Sequence, residues 1–454
     1  MKRMIALVLC VLLAVGMFAG CAAEETAQQP QQTADAQPAA DNTAEAPVAE
    51  APSEAGSPYA GEITVYAWTE MATALGNTAA RFMEQHPEAT ITVEQVDGSY
   101  TKLLPELASG IGVPDVFMVQ NTDIMSFVYT YEGQILDVTD LVEGEVGNFV
   151  DSAIATCYNK ADGKYYGIPI DIGPCALMYR TDIFEQAGVD VNSIKTWDDY
   201  IEAGKKILEA TNGEVRMTGF NMNGATSTDY MKMLFAQQGG SYYNEDGTAN
   251  LASEEMINAA NMLNKMIDAG IILDLPDEWN DRVTALVNTQ ICTLPYPEWY
   301  SICMPDYVGE QKGLWAYAPM PSFDGSEGDC CLGGSVLAIS ANTAYPELAK
   351  AFVKFSLMDV NQADLLYAQG QYEAYKLYYD APCYSEVNDY FGIALGTTFA
   401  EWTDAPAIEF GAYFTDISAA LSTAIGEMFI NGVAPEIALA EATETANRAI
   451  ASKQ

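Results

Sequence analysis

The chain of 454 residues holds a single histidine, His86. That scarcity excludes a Ser-His-Asp triad, a Cys-His dyad or an HExxH zinc site elsewhere in the chain. His86 itself, in RFMEQHPEA, reads as a solvated residue at the end of a surface helix, just before Pro87. Basic residues are also few: 20 Lys and Arg stand against 63 Asp and Glu, a formal net charge of -43. A chain so acidic repels phosphates, which argues against a nucleic-acid partner. No CxxC pair occurs among the nine cysteines, so neither a zinc ribbon nor a thioredoxin-like motif is supported. Cys157, Cys175, Cys292, Cys303, Cys330, Cys331 and Cys383 lie beyond Cys21, an odd set in which at least one is expected free. The adjacent Cys330 and Cys331 read either as a redox-sensitive pair or as buried thiols. No metal-ligand set, cofactor motif or catalytic motif stands out.

A long apolar run is missing too. The longest, residues 5–18, is too short to span a membrane, and it comes after Lys2 and Arg3 as in a targeting segment. Phe18-Ala19-Gly20-Cys21 resembles the lipobox of bacterial lipoproteins, with Phe18 where leucine is usual. The resemblance implies that Cys21 is lipidated, becomes the mature N-terminus and anchors the protein to the outer face of the cell membrane. A plain secretory signal is the other reading of residues 1–21. Residues 22–58 are rich in Ala, Gln, Pro, Glu and Thr and lack aromatics, so they cannot bury enough apolar surface to offset ordering entropy. They read as a disordered acidic tether, on the order of 35 Å end to end as a flexible coil.

Beyond residue 58 the chain is globular in composition and long enough for two domains. A strand at ITVYAW, a helix over 73–85, a strand over 91–96, a helix over 100–109 and an apolar strand over 115–121 set a β-α-β-α-β rhythm. That rhythm predicts a parallel sheet buried under helices on both faces. It resumes with a helix after Thr196, where Asp199 completes a capping box. A strand over 218–222 and helices over 229–238 and 253–269 come next. Strands over 289–294, 315–320 and 336–340 precede a helix with Pro346 in its first turn. Two helices separated by Asn431-Gly432 close the chain. Trp197 and Trp315 fall inside elements and are expected in the core.

Residues 164–180, KYYGIPIDIGPCALMYR, read as a strand interrupted by Pro169, Gly173 and Pro174, each unsuited to an unbroken central strand. Either the chain loops within one domain here or it leaves one sheet and enters another. The α/β rhythm on both sides favours the crossing.

The order of ITVYAW, ARFMEQHP, YTKLLPELASGIGVPDVFMV, KYYGIPIDIGPCALMYRTDIFEQAGV, KTWDDYIEAGKKI, YPEW, WAYAPMPSFDG, GGSVLAIS and PELAKAFVKF resembles the family 1 extracellular solute-binding proteins of ABC importers, the sugar-binding, maltose-binding-protein-like group. The resemblance covers about residues 61–450. It implies an α/β, two-lobed periplasmic-binding-protein-like fold of type II, with a ligand cleft between lobes joined by a multi-segment hinge. Lobe one is expected over 59–171 and 341–380, and lobe two over 172–338 and 381–454. Crossings are expected at 169–176, near 337–340 and somewhere in 376–403. The implied partners are a carbohydrate, the transmembrane subunits of an ABC permease and the membrane through the lipid. The implied protein is a monomer outside the cytoplasm that does no chemistry.

A sugar site needs an aromatic plane to stack on and carboxylates or amides for the hydroxyls. Candidates on lobe one are Trp68 and Glu70 after the first strand, Gln120, Asn121 and Asp123 after the third, and Asp171 at the crossing. On lobe two they are Asn223 with Gly224, Trp299 in YPEW, where the resemblance implies a sugar-stacking tryptophan, and Gly333-Gly334, whose lack of side chains permits close backbone approach. Trp402 is a further candidate near the third crossing. Each has a bland reading: core packing for Trp68, Trp299 and Trp402, and turn, cap or hinge duty for the rest. Glu298 is expected to be solvated, and Trp279 has no predictable place. Two rival functions share these residues. A polyamine or other cation would suit Glu70, Asp123 and Asp171, and a surface glycoside hydrolase would need only two well-placed carboxylates.

Overall fold

In the computed structural model, residues 57–223, 227–326 and 328–453 are described. The leader, Cys21, most of the tether and Gly224 lie outside them. Eight strands among the described residues make the two larger sheets: β1 (Gly61–Ala67), β2 (Ala89–Gln95), β3 (Val116–Gln120), β4 (Ile168–Pro169), β5 (Cys175–Arg180), β6 (Thr293–Pro297), β7 (Trp315–Ala318) and β8 (Ser335–Ile339). The first sheet has the order β2-β1-β3-β8-β4 and the second β6-β5-β7. β1 pairs in parallel with β2 and β3, whereas β8 runs antiparallel to β3 and β4.

The first sheet is covered on both faces, as its near-continuous apolar strands predict. Ile63, Val65, Val116, Met118, Leu337 and Ile339 enter one core. Their neighbours Tyr66, Phe117, Val119, Val336 and Ala338 enter the layer on the other side. The alternation is the period of two that a pleated strand imposes. The second sheet contributes Leu177, Met178, Leu294 and Trp315 to a separate core, which also takes Trp197 and the C-terminal helices Phe414–Phe429 and Pro435–Ala451. The helix Trp197–Ala210 starts at the expected capping box, Thr196 accepting from the Asp199 amide and Asp199 from that of Thr196.

Two elements differ from expectation for local reasons. The first helix begins at Thr69, not Thr73, directly after the extended Trp68. This places Thr69 at φ 48°, a conformation that β-branched residues rarely adopt. The strand expected to stop at Leu294 instead runs through Pro295 and Pro297. β6 is an edge strand, where a missing N–H costs no ladder bond.

The chain crosses between the cores at residues 170–174, between β4 and β5. Pro169 is tolerated because β4, too, is an edge. The crossing is paired on both sides. Leu332 donates to Gly173 O at 2.8 Å and Cys175 to Cys330 O at 2.9 Å; on the other flank Ile172 donates to Tyr372 O and Ala374 to Ile170 O, each at 2.9 Å. The second crossing lies earlier than expected. β8 is a strand of the first sheet, so the chain has already crossed by Ser335 rather than near 337–340. Further on, Tyr384 and Phe399 pack in the first core while Tyr390 and Phe391 pack in the second. Residues 381–400 are therefore shared between the lobes and not assigned to lobe two, and the passage completed by Phe414 is one of several.

Gly173 is required where the two crossings touch. A Cβ there would lie 2.0 Å from Leu332 O and 3.1 Å from Pro297 Cβ. Gly173→Ala is expected to cost about 1–3 kcal/mol through forced separation of the two segments, read as a lowered urea midpoint; an unchanged midpoint would refute this role.

Candidate functional site

The ends of β1 and β3, the crossing and the segment ahead of β8 meet around a cleft of about 690 Å³. Of the residues singled out from sequence, Trp68, Glu70, Gln120, Asn121, Asp171, Trp299, Gly333 and Gly334 line it. Trp68 is the extended N-cap of the first helix and packs edge-on to Tyr100 at 5.7 Å. Gln120 ends β3 exposed, its amide donating to the Tyr100 hydroxyl at 2.8 Å. Asn121 clasps the second crossing: Nδ2 donates to Gly333 O at 2.8 Å and the backbone N to Gly334 O at 3.0 Å. Its Oδ1 has no partner among the described residues. Gly334, at φ +113°, would bring a Cβ within 2.9 Å of Asp171 O. The glycine pair thus serves close approach of backbone to the crossing as well as to the cleft.

Trp299, two residues past β6, caps the helix Tyr300–Val308, with its Nε1 aimed at Leu332 O at 3.4 Å. Trp279, on the first turn of the helix Glu278–Val287, lies nearly parallel to it, with ring centroids 6.4 Å apart and planes 9° apart. Trp279 is 41% exposed. Together the two rings form a stepped aromatic platform at one wall. Asp229 and Lys232 also line the cleft, Lys232 Nζ standing 3.5 Å from Asp229 while Tyr296 OH donates to the other carboxylate oxygen at 3.1 Å. Neither stands out in the sequence. Their only signal is an i, i+3 charged pair in the helix Ser227–Ala236.

Three candidates do not line the cleft. Asp123 turns to Tyr100, accepting from its hydroxyl at 2.9 Å, and burial raises the Asp123 pKa from its ordinary value. Asn223 lies beside Gly426 of the helix Phe414–Phe429, its backbone amide bonded to Asn221 Oδ1 at 2.8 Å. Trp402 packs edge-on to Phe399 at 5.4 Å against the first core. His86 caps its helix as expected but is half-buried between Tyr59 and Phe82 rather than solvated. All seven described cysteines are free, and Cys331 lines the cleft.

Glu298 departs most from expectation. It is 7% exposed, held by its amide to Pro174 O at 3.0 Å, and its Oε2 has no partner among the described residues. Glu373, bridged to Asp171 across the paired crossing, is 1% exposed with both carboxyl oxygens likewise unpartnered. Asp171 completes a trio of acids, its Oδ1 accepting from Ser335 N at 2.7 Å. Burial pushes Asp171 up to about 6, opposed by that hydrogen bond. Burial raises Glu298 and Glu373 well above the carboxylate range, and the charge of Asp171 adds to both. The groups around the trio are tyrosines and thiols, Tyr317, Tyr372, Tyr378, Tyr379, Cys175 and Cys331 among them. With no compensating cation among these neighbours, burial favours the protonated form of each acid. No group of three or more His, Cys, Asp or Glu among the described residues has metal-site geometry.

Residues 61–363 match the family described as bacterial extracellular solute-binding protein. The arabinooligosaccharide-binding protein of Halalkalibacterium halodurans is 28% identical over 303 residues, 65% of this chain and 66% of that one, just under two thirds of the relative's length. The lactose-binding protein of Rhizobium radiobacter is 24% identical over 80% of this chain and 87% of its own. The solved galacto-N-biose-/lacto-N-biose I-binding protein of Bifidobacterium longum superposes with a TM-score of 0.74 at 19% identity, covering 88% of this chain and 99% of that one. The two lobes are those of the type II periplasmic-binding-protein fold.

The acid trio gives stability a definite dependence on pH. A carboxyl whose folded pKa lies above its unfolded value binds its proton more tightly when folded, so its contribution is complete below the unfolded value, about 4, and is lost as pH rises through the folded one. For Asp171 that window is from about 4 to about 6, and for the two glutamates it extends higher. Thermal melts should therefore fall as pH rises through this range, and Glu373→Gln should flatten the fall. Parallel profiles for the two proteins would remove the trio from this role.

Proposed function

Because the chain belongs to the bacterial extracellular solute-binding protein family, we propose that it captures a carbohydrate in the interlobe cleft and delivers it to the transmembrane subunits of an ABC permease. The observation carrying this reading is the Trp299–Trp279 platform facing a ring of polar groups, Gln120, Asp171, Asp229 and Lys232, on both lobes. A sugar offers an apolar CH face to the rings and hydroxyls to amides and carboxylates, donating to some and accepting from Lys232. The names of the relatives, arabinooligosaccharide-binding and lactose-binding, support the same class. A cationic ligand fits less well, since Lys232 stands among the cleft acids. Glu298 and Glu373 lie outside the cleft lining, so a hydrolytic carboxylate pair would have to be drawn from Glu70, Asp171 and Asp229.

The protein performs no chemistry in this reading. A ligand touching both lobes favours the arrangement in which they are close, and the permease reads that shift. Cys21 carries the lipid that holds the monomer at the outer face of the membrane, with the tether setting its reach. Trp68, Glu70, Asn121, Gly333 and Gly334 contribute the rest of the contact surface.

Tryptophan fluorescence and small-angle scattering against arabinooligosaccharides, lactose, lacto-N-biose, maltose and a polyamine series test the proposal. Saturable quenching and compaction with a sugar are expected. Stabilisation by polyamines alone would replace the ligand class. Trp299→Ala should weaken the sugar about tenfold, the upper range for one aromatic contact, with an unchanged melting temperature. Asp171→Asn should also weaken binding without loss of stability; unchanged affinity would leave Asp171 a hinge acid only.

A further inference from the structure

Beside the cleft lies a larger chamber of about 1210 Å³, walled by both lobes. The two spaces share Thr156 and Phe410 in their linings. We propose that this chamber continues the binding site and receives the distal units of a chain-like neutral glycan, so that the preferred ligand is an oligosaccharide longer than a disaccharide. The inference rests on the carbohydrate reading above and names the length class of its ligand.

The divider between the two spaces is a strap rather than a wall. Residues 403–411 have no regular structure and connect the helix Leu395–Ala400 to the helix Phe414–Phe429. The strap turns Pro406 and Ile408 to the cleft, Glu409 and Gly411 to the chamber, and Phe410 to both. Its position is held from lobe two, where Tyr243 OH donates to Phe410 O at 2.7 Å and accepts from Tyr413 N at 3.2 Å. It is also held from lobe one, where Lys160 pairs with Glu409. The junction at Phe410 is therefore an ordered aromatic step between two open volumes.

The lining suits sugar. Tyr129, Tyr158 and Tyr166 come from one lobe, and Tyr243 and Tyr413 from the other. Each phenol combines a flat apolar face with an edge hydroxyl, the two features that a pyranose or furanose ring meets. Tyr129 and Tyr158 are 52% and 37% exposed, a large aromatic area left facing solvent. The hydroxyls of Tyr129 and Tyr413 meet at 2.9 Å across the lobes, so a ligand reaching them would bear on both. Glu132, Asp162 and Glu245 outnumber Lys160 in the lining, which disfavours an acidic glycan. Each space alone is within or above the range of about 300–1,000 Å³ typical of a small-ligand site. Together they are too large for a single sugar to fill.

The test is calorimetry on the intact protein with arabinooligosaccharide, β-1,6-galactooligosaccharide and maltooligosaccharide ladders of one to six units. In the ladder that binds, affinity should keep rising beyond the disaccharide, by about tenfold or more between two and four units. Tyr129→Ala and Tyr158→Ala, both at exposed positions, should each weaken the tetrasaccharide about three- to tenfold. Disaccharide affinity and melting temperature should not change. A plateau at the disaccharide, or equal weakening of short and long ligands in both variants, would overturn the chamber and leave carbohydrate binding standing. Failure of every ladder to bind would overturn the carbohydrate reading and this inference with it.

Discussion

Both lobes hang from the place where residues 170–174 run against residues 330–335. Two backbone hydrogen bonds flank the contact of Pro174 with Cys331, and Gly173 lets the Leu332 carbonyl approach where no Cβ would fit. The same short length fixes what faces the cleft. Leu332 O meets the edge of Trp299, Gly333 O accepts from Asn121, and the Ser335 amide anchors Asp171. A shift of the pairing by one residue would turn every side chain here to the other face, dispersing the polar ring and tilting the tryptophan platform.

That junction also carries an electrostatic load. Three acids are gathered where chain segments from both lobes converge, and two of them have carboxyl oxygens without partners among the described residues. Uncompensated burial of this kind opposes folding unless the groups are neutral. Its location at the pivot rather than in a lobe interior ties the protonation state to the part of the molecule that a hinge motion would deform. The strained φ of Thr69, next to Trp68 and Glu70 at the cleft rim, is a second local cost at the same site, in keeping with the clustering of strain at functional positions.

Much of this is legible from sequence because its signals are local. The period-two apolar strands, the Thr196–Asp199 capping box and the interrupted stretch around Gly173 each depend on residues a few positions apart. Trp68, Gln120 and Asp171 are reachable as candidates because they end strands or mark the crossing, where α/β folds open toward ligand, and Trp299 because the family resemblance places a tryptophan there. The errors share a cause. GGSVLAIS reads as an apolar strand whichever sheet it joins, and only its pairing with Val116–Gln120 assigns it to the first. Asp123 lies just past the same strand as Gln120 but is claimed by a tyrosine 23 residues earlier.

The sequence by itself determined the α/β class through its periodicity, and the two-lobed plan through the resemblance of its motif order to the solute-binding family. The tertiary structure alone decided that Glu298 is buried with Asp171 and Glu373, that Trp279 lies parallel to Trp299, and that a tyrosine-lined chamber adjoins the cleft. Burial, ring stacking and cavities are made by residues brought together from 20 to nearly 300 positions apart. Such contacts leave no periodic trace in the chain, because the environment of each side chain is supplied by segments that only folding places beside it.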